Sequence, residues 1–251
     1  VGEGTGWLPY HQVLLRDDTP VGILICYIKH HSYGEYVFDW SWADAYFRHQ
    51  LPYYPKLTIA IPFSPVPCKK WLTLCDMTES EAVDQLRTRV GRQAFSGIHQ
   101  LFTNQPVSDS NANWVTREGH QFHFFNRVPN SQQAYTSFEH FLSVLTARKR
   151  KSIRKERLRI NESGIRCLWR RGREVTEDEL AAFYQFYHAT YTKRGMRGYL
   201  TKSFFETLFN SLSDQVRLLV CYFDTRPVAM ALYLESDDTL YGRYWGSSDE
   251  F

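Results

Sequence analysis

Cys221-Tyr222-Phe223-Asp224-Thr225-Arg226-Pro227-Val228-Ala229-Met230 reads as an apolar strand, an acidic turn closed by Pro-Val, and a second apolar strand beginning with a small residue. An Asp-containing turn between two apolar runs is hairpin chemistry. Working outward, residues 216–223 and 228–235 are the two strands, and 239–246 is a third after the turn Ser236-Asp237-Asp238. Upstream, Thr176-x-x-Glu179 is a capping box. It opens a helix with Leu180, Phe183, Tyr184, Tyr187 and Tyr191 on one face, closed at Lys193-Arg194-Gly195. Thr201 caps a second helix carrying Phe204, Phe205, Leu208 and Leu212, and a strand at 165–170 precedes both. The order is β-α-α-β-β-β, an α/β arrangement.

The same turn layout occurs near the start, in Leu14-Leu15-Arg16-Asp17-Asp18-Thr19-Pro20-Val21-Gly22-Ile23. It predicts a hairpin of 11–16 with 21–29, and it raises the question of an internal duplication. After it come an aromatic stretch at 33–54 with a helix at 42–49, and a strand at 56–63 ended by Pro62, Pro65 and Pro67. Thr78-x-x-Glu81 opens a helix with Val83, Leu86 and Val90 on its apolar face. A strand at 98–103, a loop or weak helix at 106–113 and a strand at 121–126 follow. Thr136-x-x-Glu139 starts a long helix with Phe138, Phe141, Leu142 and Leu145 at helical spacing; it turns basic at Arg148 and ends near Gly164.

With 251 residues the chain is long enough to fold around its own core without disulfides or metal. No apolar run approaches a membrane span. The net charge of +3 hides a strong asymmetry: residues 148–173 carry +10, which leaves −7 for the remainder. One concentrated basic element on an acidic body points to an anionic partner. The five cysteines are scattered and unmatched to zinc spacing, so a reduced, cytoplasmic chain is the simplest reading. His120 and His123, three apart in a predicted strand, point to opposite faces, and no metal site is expected.

The β-α-α-β-β-β order resembles the opening of the GCN5-related N-acetyltransferase (GNAT) fold, and the first half resembles the rest of such a fold entered at its central hairpin. Longer motifs sharpen this. Gly34-Glu35-Tyr36-Val37-Phe38-Asp39-Trp40-Ser41-Trp42-Ala43-Asp44-Ala45-Tyr46, Tyr53-Tyr54-Pro55-Lys56-Leu57, the run from Arg148 to Arg157, and Leu240-Tyr241-Gly242-Arg243-Tyr244-Trp245-Gly246 resemble a bacterial Fem-like family labelled peptidoglycan biosynthesis or recognition. The resemblance spans the whole chain. It implies tandem acyl-CoA N-acyltransferase-like domains, mixed central sheets flanked by helices. The first is expected at 1–134 without its N-terminal part, the second at 165–251 without its C-terminal part, and a basic linking helix at 135–164 joins them. It also implies kinship with enzymes that move amino acids from aminoacyl-tRNA onto peptidoglycan precursors. The glycine-rich pyrophosphate loop of acetyl-CoA users is replaced by Phe63-Ser64-Pro65-Val66-Pro67-Cys68-Lys69-Lys70. Proline has no N–H to offer a phosphate, so acetyl-CoA is not the default donor.

Acyl transfer to an amine needs that amine neutral, and a carboxylate among apolar rings suits the task. If 36–40 is extended, Glu35 and Asp39 share a face. Asp39 is the first candidate for general base and Glu35 the second, with Tyr53 or Tyr54 as proton donor to the leaving group. The competing reading makes this stretch core, with Asp39 capping the helix. Trp40, Trp42 and Asp44 are candidate substrate contacts, as are Arg243, Tyr244 and Trp245, unless the last three simply pack. Arg148, Lys151, Lys155 and Arg159 form a stripe along the basic helix with Arg154 beside it, fit for phosphates of tRNA, CoA or a nucleotide-linked precursor, or else a solvated face. The expected function is therefore acyl or aminoacyl transfer from a thioester or aminoacyl-tRNA to an amine acceptor, with no tightly bound cofactor. A non-catalytic recognition module and an RNA-binding protein are the alternatives.

Overall fold

The computed structural model describes residues 1–2, 4–103 and 114–248. It is a mixed α/β protein that divides into two compact units, Val1–His120 and Gln121–Phe251. The expected loop or weak helix at 106–113 lies outside the described residues.

In the first unit, β1 (Leu8–Pro9) and β2 (Gln12–Arg16) run antiparallel to β4 (Tyr27–Lys29) and β3 (Thr19–Leu24) as two arms of one hairpin. The bond from Tyr10 N–H to the Cys26 carbonyl bridges the gap between them. Asp17 and Asp18 both take positive φ, as a two-residue hairpin turn requires. The other edge of the β3–β4 arm pairs first with β5 (Lys56–Ile59) and then with β6 (Trp71–Thr73). Residues 60–70 are thus an excursion out of a third meander strand. That excursion is why the strand expected at 56–63 stops at Ile59. Helix α1 (Trp40–Arg48) lies in the 30–55 connection. Helix α2 (Glu79–Ala94), opened by the Thr78/Glu81 capping box, crosses over to β7 (Ile98–Gln100), which adds parallel to β5. Its Val83 and Leu86 bury against Leu24, Cys26, Leu57, Ile59 and Trp71.

In the second unit the sheet order is β11-β10-β9-β8, all antiparallel: β8 (Ile165–Arg171), β9 (Val216–Phe223), β10 (Arg226–Glu235) and β11 (Leu240–Ser247). One face alternates Val216, Leu218, Val220, Val228, Met230 and Leu232, all buried. Helices α5 (Glu177–Thr192) and α6 (Lys202–Ser211) supply Phe183, Tyr187, Phe205 and Phe209, with Tyr187 edge-on to Tyr244 at 5.2 Å. Gly246 is required here, because a Cβ would meet the Phe186 carbonyl oxygen at 2.3 Å. The opposite face carries Cys167, Trp169, Leu219, Cys221, Ala229, Ala231, Tyr233 and Trp245, which follows from the two-residue period of the strands.

Further expectations change as well. The segment 121–126 is irregular rather than a strand, so the opposite-face argument about His120 and His123 lapses; among the described residues no three potential metal ligands cluster. The long helix from Thr136 is two: α3 (Phe138–Ser143), capped by Ser137, and α4 (Ala147–Glu162), capped by Thr146. Arg150 closes the break by donating to the carbonyls of Leu142 and Ser143 at the end of α3 and of Leu145 in the connection to α4. Finally, 36–40 is not extended: Tyr36 and Phe38 have φ of 61° and 51°.

The hairpins built on the two Pro-Val turns match in detail. In the first, Leu15 pairs Pro20 and Leu14 pairs Gly22, so Val21 is skipped. In the second, Tyr222 pairs Pro227 and Cys221 pairs Ala229, so Val228 is skipped. The bulge falls on the valine after proline in both, because a proline lacks the N–H that would continue the ladder. The third strands correspond as well. Leu24 faces Trp71 as Ala231 faces Trp245, and Gly22 faces Thr73 as Ala229 faces Ser247.

Candidate active site

Lys29 on β4 and Lys56 on β5 are register partners, and both side chains are fully buried. Two opposed lysines inside a core demand acceptors and counter-charge. The chain supplies them from the loop between Lys29 and α1. Gly34 at φ +80°, followed by left-handed Tyr36 and Phe38, folds this loop back, and a Cβ on Gly34 would meet the Phe63 ring at 2.6 Å. Glu35 and Asp39 then reach the same ammonium: Lys56 Nζ donates to Glu35 Oε2 at 2.8 Å, to Asp39 Oδ2 at 2.6 Å and to Ser32 Oγ at 2.8 Å. An ammonium has three N–H donors, so these bonds saturate Lys56. Left-handed φ on aromatic residues is unfavourable, and the ion pairs of Glu35 and Asp39 with Lys56 bracket both residues.

Asp39 occupies the N-cap position of α1, yet its carboxylate makes no capping bond. It turns inward instead, accepting also from Tyr53 Oη at 2.7 Å, with His99 Nδ1 at 3.8 Å. Tyr54 Oη shares a hydrogen bond of 2.7 Å with Ser32 Oγ. Tyr53 stands edge-on to Tyr46, Tyr54 and His99. Lys29 Nζ lies 3.8 Å above the Trp7 ring and donates to the Tyr33 carbonyl. Among the described residues, Glu35 Oε1 and Asp39 Oδ1 are buried oxygens with no hydrogen-bond partner.

The two carboxyls are pushed in opposite directions. Burial raises Glu35, and the Lys56 charge offsets this only in part. Burial also raises Asp39, but hydrogen bonds involving Lys56, Ser32 and Tyr53 outweigh it and hold this carboxyl below its usual range. Burial, then the Asp39 carboxylate, raises the Tyr53 phenol. Burial pushes Lys29 down to about 8, and burial together with the Lys56 charge pushes His99 down to about 4.

The structure therefore brings Glu35, Asp39, Tyr53 and Tyr54 into one cluster. Trp40 and Trp42 are exposed on α1, with Trp40 4.9 Å from the Tyr33 ring, and Asp44 is exposed one turn on. In the second unit, Arg148, Lys151, Lys155 and Arg159 are exposed along α4, while Arg154 pairs with Glu139. Tyr244 faces the helices and Trp245 the opposite side of the sheet, where Arg243, Trp245, Tyr233, Ala231 and Cys221 border a concavity of about 460 Å³. Sequence reasoning missed Lys29, Ser32, Lys56 and His99. The available signal was a lysine placed in phase with the buried residues of two apolar strands; nothing local marks His99.

No helix among the described residues is long and apolar enough to cross a membrane. The model of the FemAB-like family, described as peptidoglycan biosynthesis/recognition, matches residues 1–251. No curated protein matches the chain.

Proposed function

The chain belongs to the FemAB-like family of peptidoglycan biosynthesis/recognition proteins, and on that premise we propose that it transfers an acyl or aminoacyl group to an amine of a peptidoglycan precursor. The observation that carries the reading is the Lys56-centred cluster with its two unpartnered carboxylate oxygens. Both oxygens are shut off from solvent, so an ammonium group reaches them only when the 30–55 connection moves aside; the negative charge then draws it. Asp39, kept ionised by its donors, anchors the ammonium. Glu35, raised by burial, takes the proton that the amine must lose before it attacks the acyl carbon. This reverses the order of preference drawn from sequence, because a carboxylate with a depressed pKa is the weaker base. Tyr54 is the better-placed donor for the leaving group, because the single Tyr53 O–H is committed to Asp39, and burial and then that bond push its phenol up. Lys56, its hydrogens all engaged, is a positioning residue.

The donor is a CoA thioester or an aminoacyl-tRNA used as co-substrate; within the second unit by itself, the exposed cations of α4 form a surface suited to phosphates. The matching bulges of the two hairpins support descent of the two units from one acyltransferase-like domain by duplication. The test is turnover of a CoA thioester or charged tRNA with a peptidoglycan-precursor amine. Glu35→Gln lowers kcat by at least about 100-fold, the scale of a lost general base; it also lowers the melting temperature, because buried Lys56 loses a counter-charge, so kcat is read well below the transition where the variant is folded. Full activity in a folded Glu35→Gln variant overturns the catalytic role. Precursor binding without turnover by the native chain establishes the recognition reading instead.

A further inference from the structure

β8 and β9 pair so that Cys167 lies directly opposite Cys221. Their neighbours Leu168 and Val220 pair on the helix-covered face, so the two thiols share the other face. Directly opposed residues of an antiparallel pair have Cα atoms about 4.5–5.5 Å apart, which falls inside the range a disulfide spans. Here the sulfurs are already 2.9 Å apart, closer than two non-bonded sulfurs rest at ease. The strand ladder itself thus holds the thiols in bonding register, with no backbone movement needed. The other three cysteines, Cys26, Cys68 and Cys75, belong to the first unit.

We propose that Cys167 and Cys221 are a redox modification site, forming a reversible cross-strand disulfide with a small disulfide oxidant such as glutathione disulfide. Cys167 is exposed and Cys221 half-buried, which sets the order of events. Burial, and then the adjacent Cys167, push the Cys221 thiol up to about 12, so it keeps its proton while Cys167 reacts. The Cys167 thiolate attacks one sulfur of the oxidant, breaking its S–S bond and releasing one glutathione thiolate. Cys221 then gives its proton to the released glutathione thiolate and attacks Cys167 Sγ, expelling the second glutathione as a thiolate that takes up the proton Cys167 lost to solvent. Two protein thiols lose two protons and two electrons to form one S–S bond, and the oxidant's S–S bond becomes two thiols. The product ties β8 to β9 beside the concavity that Cys221 borders with Ala231, Tyr233 and Trp245. The site is independent of the transferase reading, since none of its residues belongs to the Lys56 cluster.

The experiment treats the reduced full chain with glutathione disulfide and follows intact mass and peptide map. The expected product is lighter by about 2 Da, carries no retained glutathione, and links the peptide containing Cys167 to that containing Cys221. Dithiothreitol restores the starting mass. Cys221→Ser retains one glutathione on Cys167 instead of closing, because the second nucleophile is gone. The peptide map of the native chain stands without that variant, should it fold poorly. Stable glutathione on Cys167 of the native chain, or a bond from either cysteine to Cys26, Cys68 or Cys75, overturns the proposal.

Discussion

Lys56 shows how one residue can organise a site: three N–H donors meet three buried acceptors, and the two carboxylates it holds arrive from a loop rather than from its own strand. Next to it, His99 is kept neutral by burial and by the Lys56 charge, with its pKa pushed down to about 4. In the unfolded chain an imidazole titrates near 6.5. Between about pH 6.5 and 4 the unfolded state therefore binds a proton that the folded state refuses, and stability falls as pH falls through that window. Thermal unfolding measured from pH 7 to pH 4 shows this decline, and His99→Gln flattens it. The cluster was half legible in the sequence. Glu35, Asp39, Tyr53 and Tyr54 stood out as polar groups in an aromatic stretch. Lys56 did not, because what a buried lysine does depends on which acceptors the fold brings to its tip.

Local signals carried most of the elements. Thr78, Thr176 and Thr201 cap helices where their spacing to the following acid or apolar face says they should. The break between α3 and α4 was missed because Thr146, a second cap, lies within an uninterrupted helical periodicity and only Arg150 reveals it by closing α3. Glu179 does more than complete a box. Oε2 accepts from Thr176 N–H, while Oε1 accepts from Tyr222 Oη on β9 and Arg170 Nε on β8. It joins α5 to two strands while almost fully buried. Charged hydrogen bonds contribute about 1.5–3 kcal/mol, and a stranded buried partner costs more. Glu179→Ala is thus expected to destabilise the protein by about 3 kcal/mol or more. Thr78→Ala, which loses one exposed cap, costs about 1 kcal/mol. Denaturant unfolding of the two variants side by side checks the difference.

Over the whole molecule, charge is segregated: +10 over residues 148–173 and −7 over the rest. The cations of α4 divide by role. Arg150 and Arg154 are engaged within the unit and Arg157 lies 4.3 Å from the Phe138 ring centre, whereas Arg148, Lys151, Lys155 and Arg159 form an exposed stripe. Four phosphate contacts give a log–log dependence of affinity on salt with a slope of about −3. Transfer-RNA binding titrated across salt is expected to show that slope, and replacing the four residues by Gln flattens it. A flat slope for the native chain removes α4 as the phosphate surface.

The sequence by itself determined the hairpins, the capped helices, the charge segregation and the pairing of two similar Pro-Val turns. These rest on interactions within a few residues or on simple periodicity. Only the tertiary structure decided that both Pro-Val turns carry the same bulge, that Asp39 abandons its helix cap for Lys56, and that Cys167 meets Cys221. Each of these joins groups far apart along the chain, where strand register and burial, rather than local preference, choose the partner.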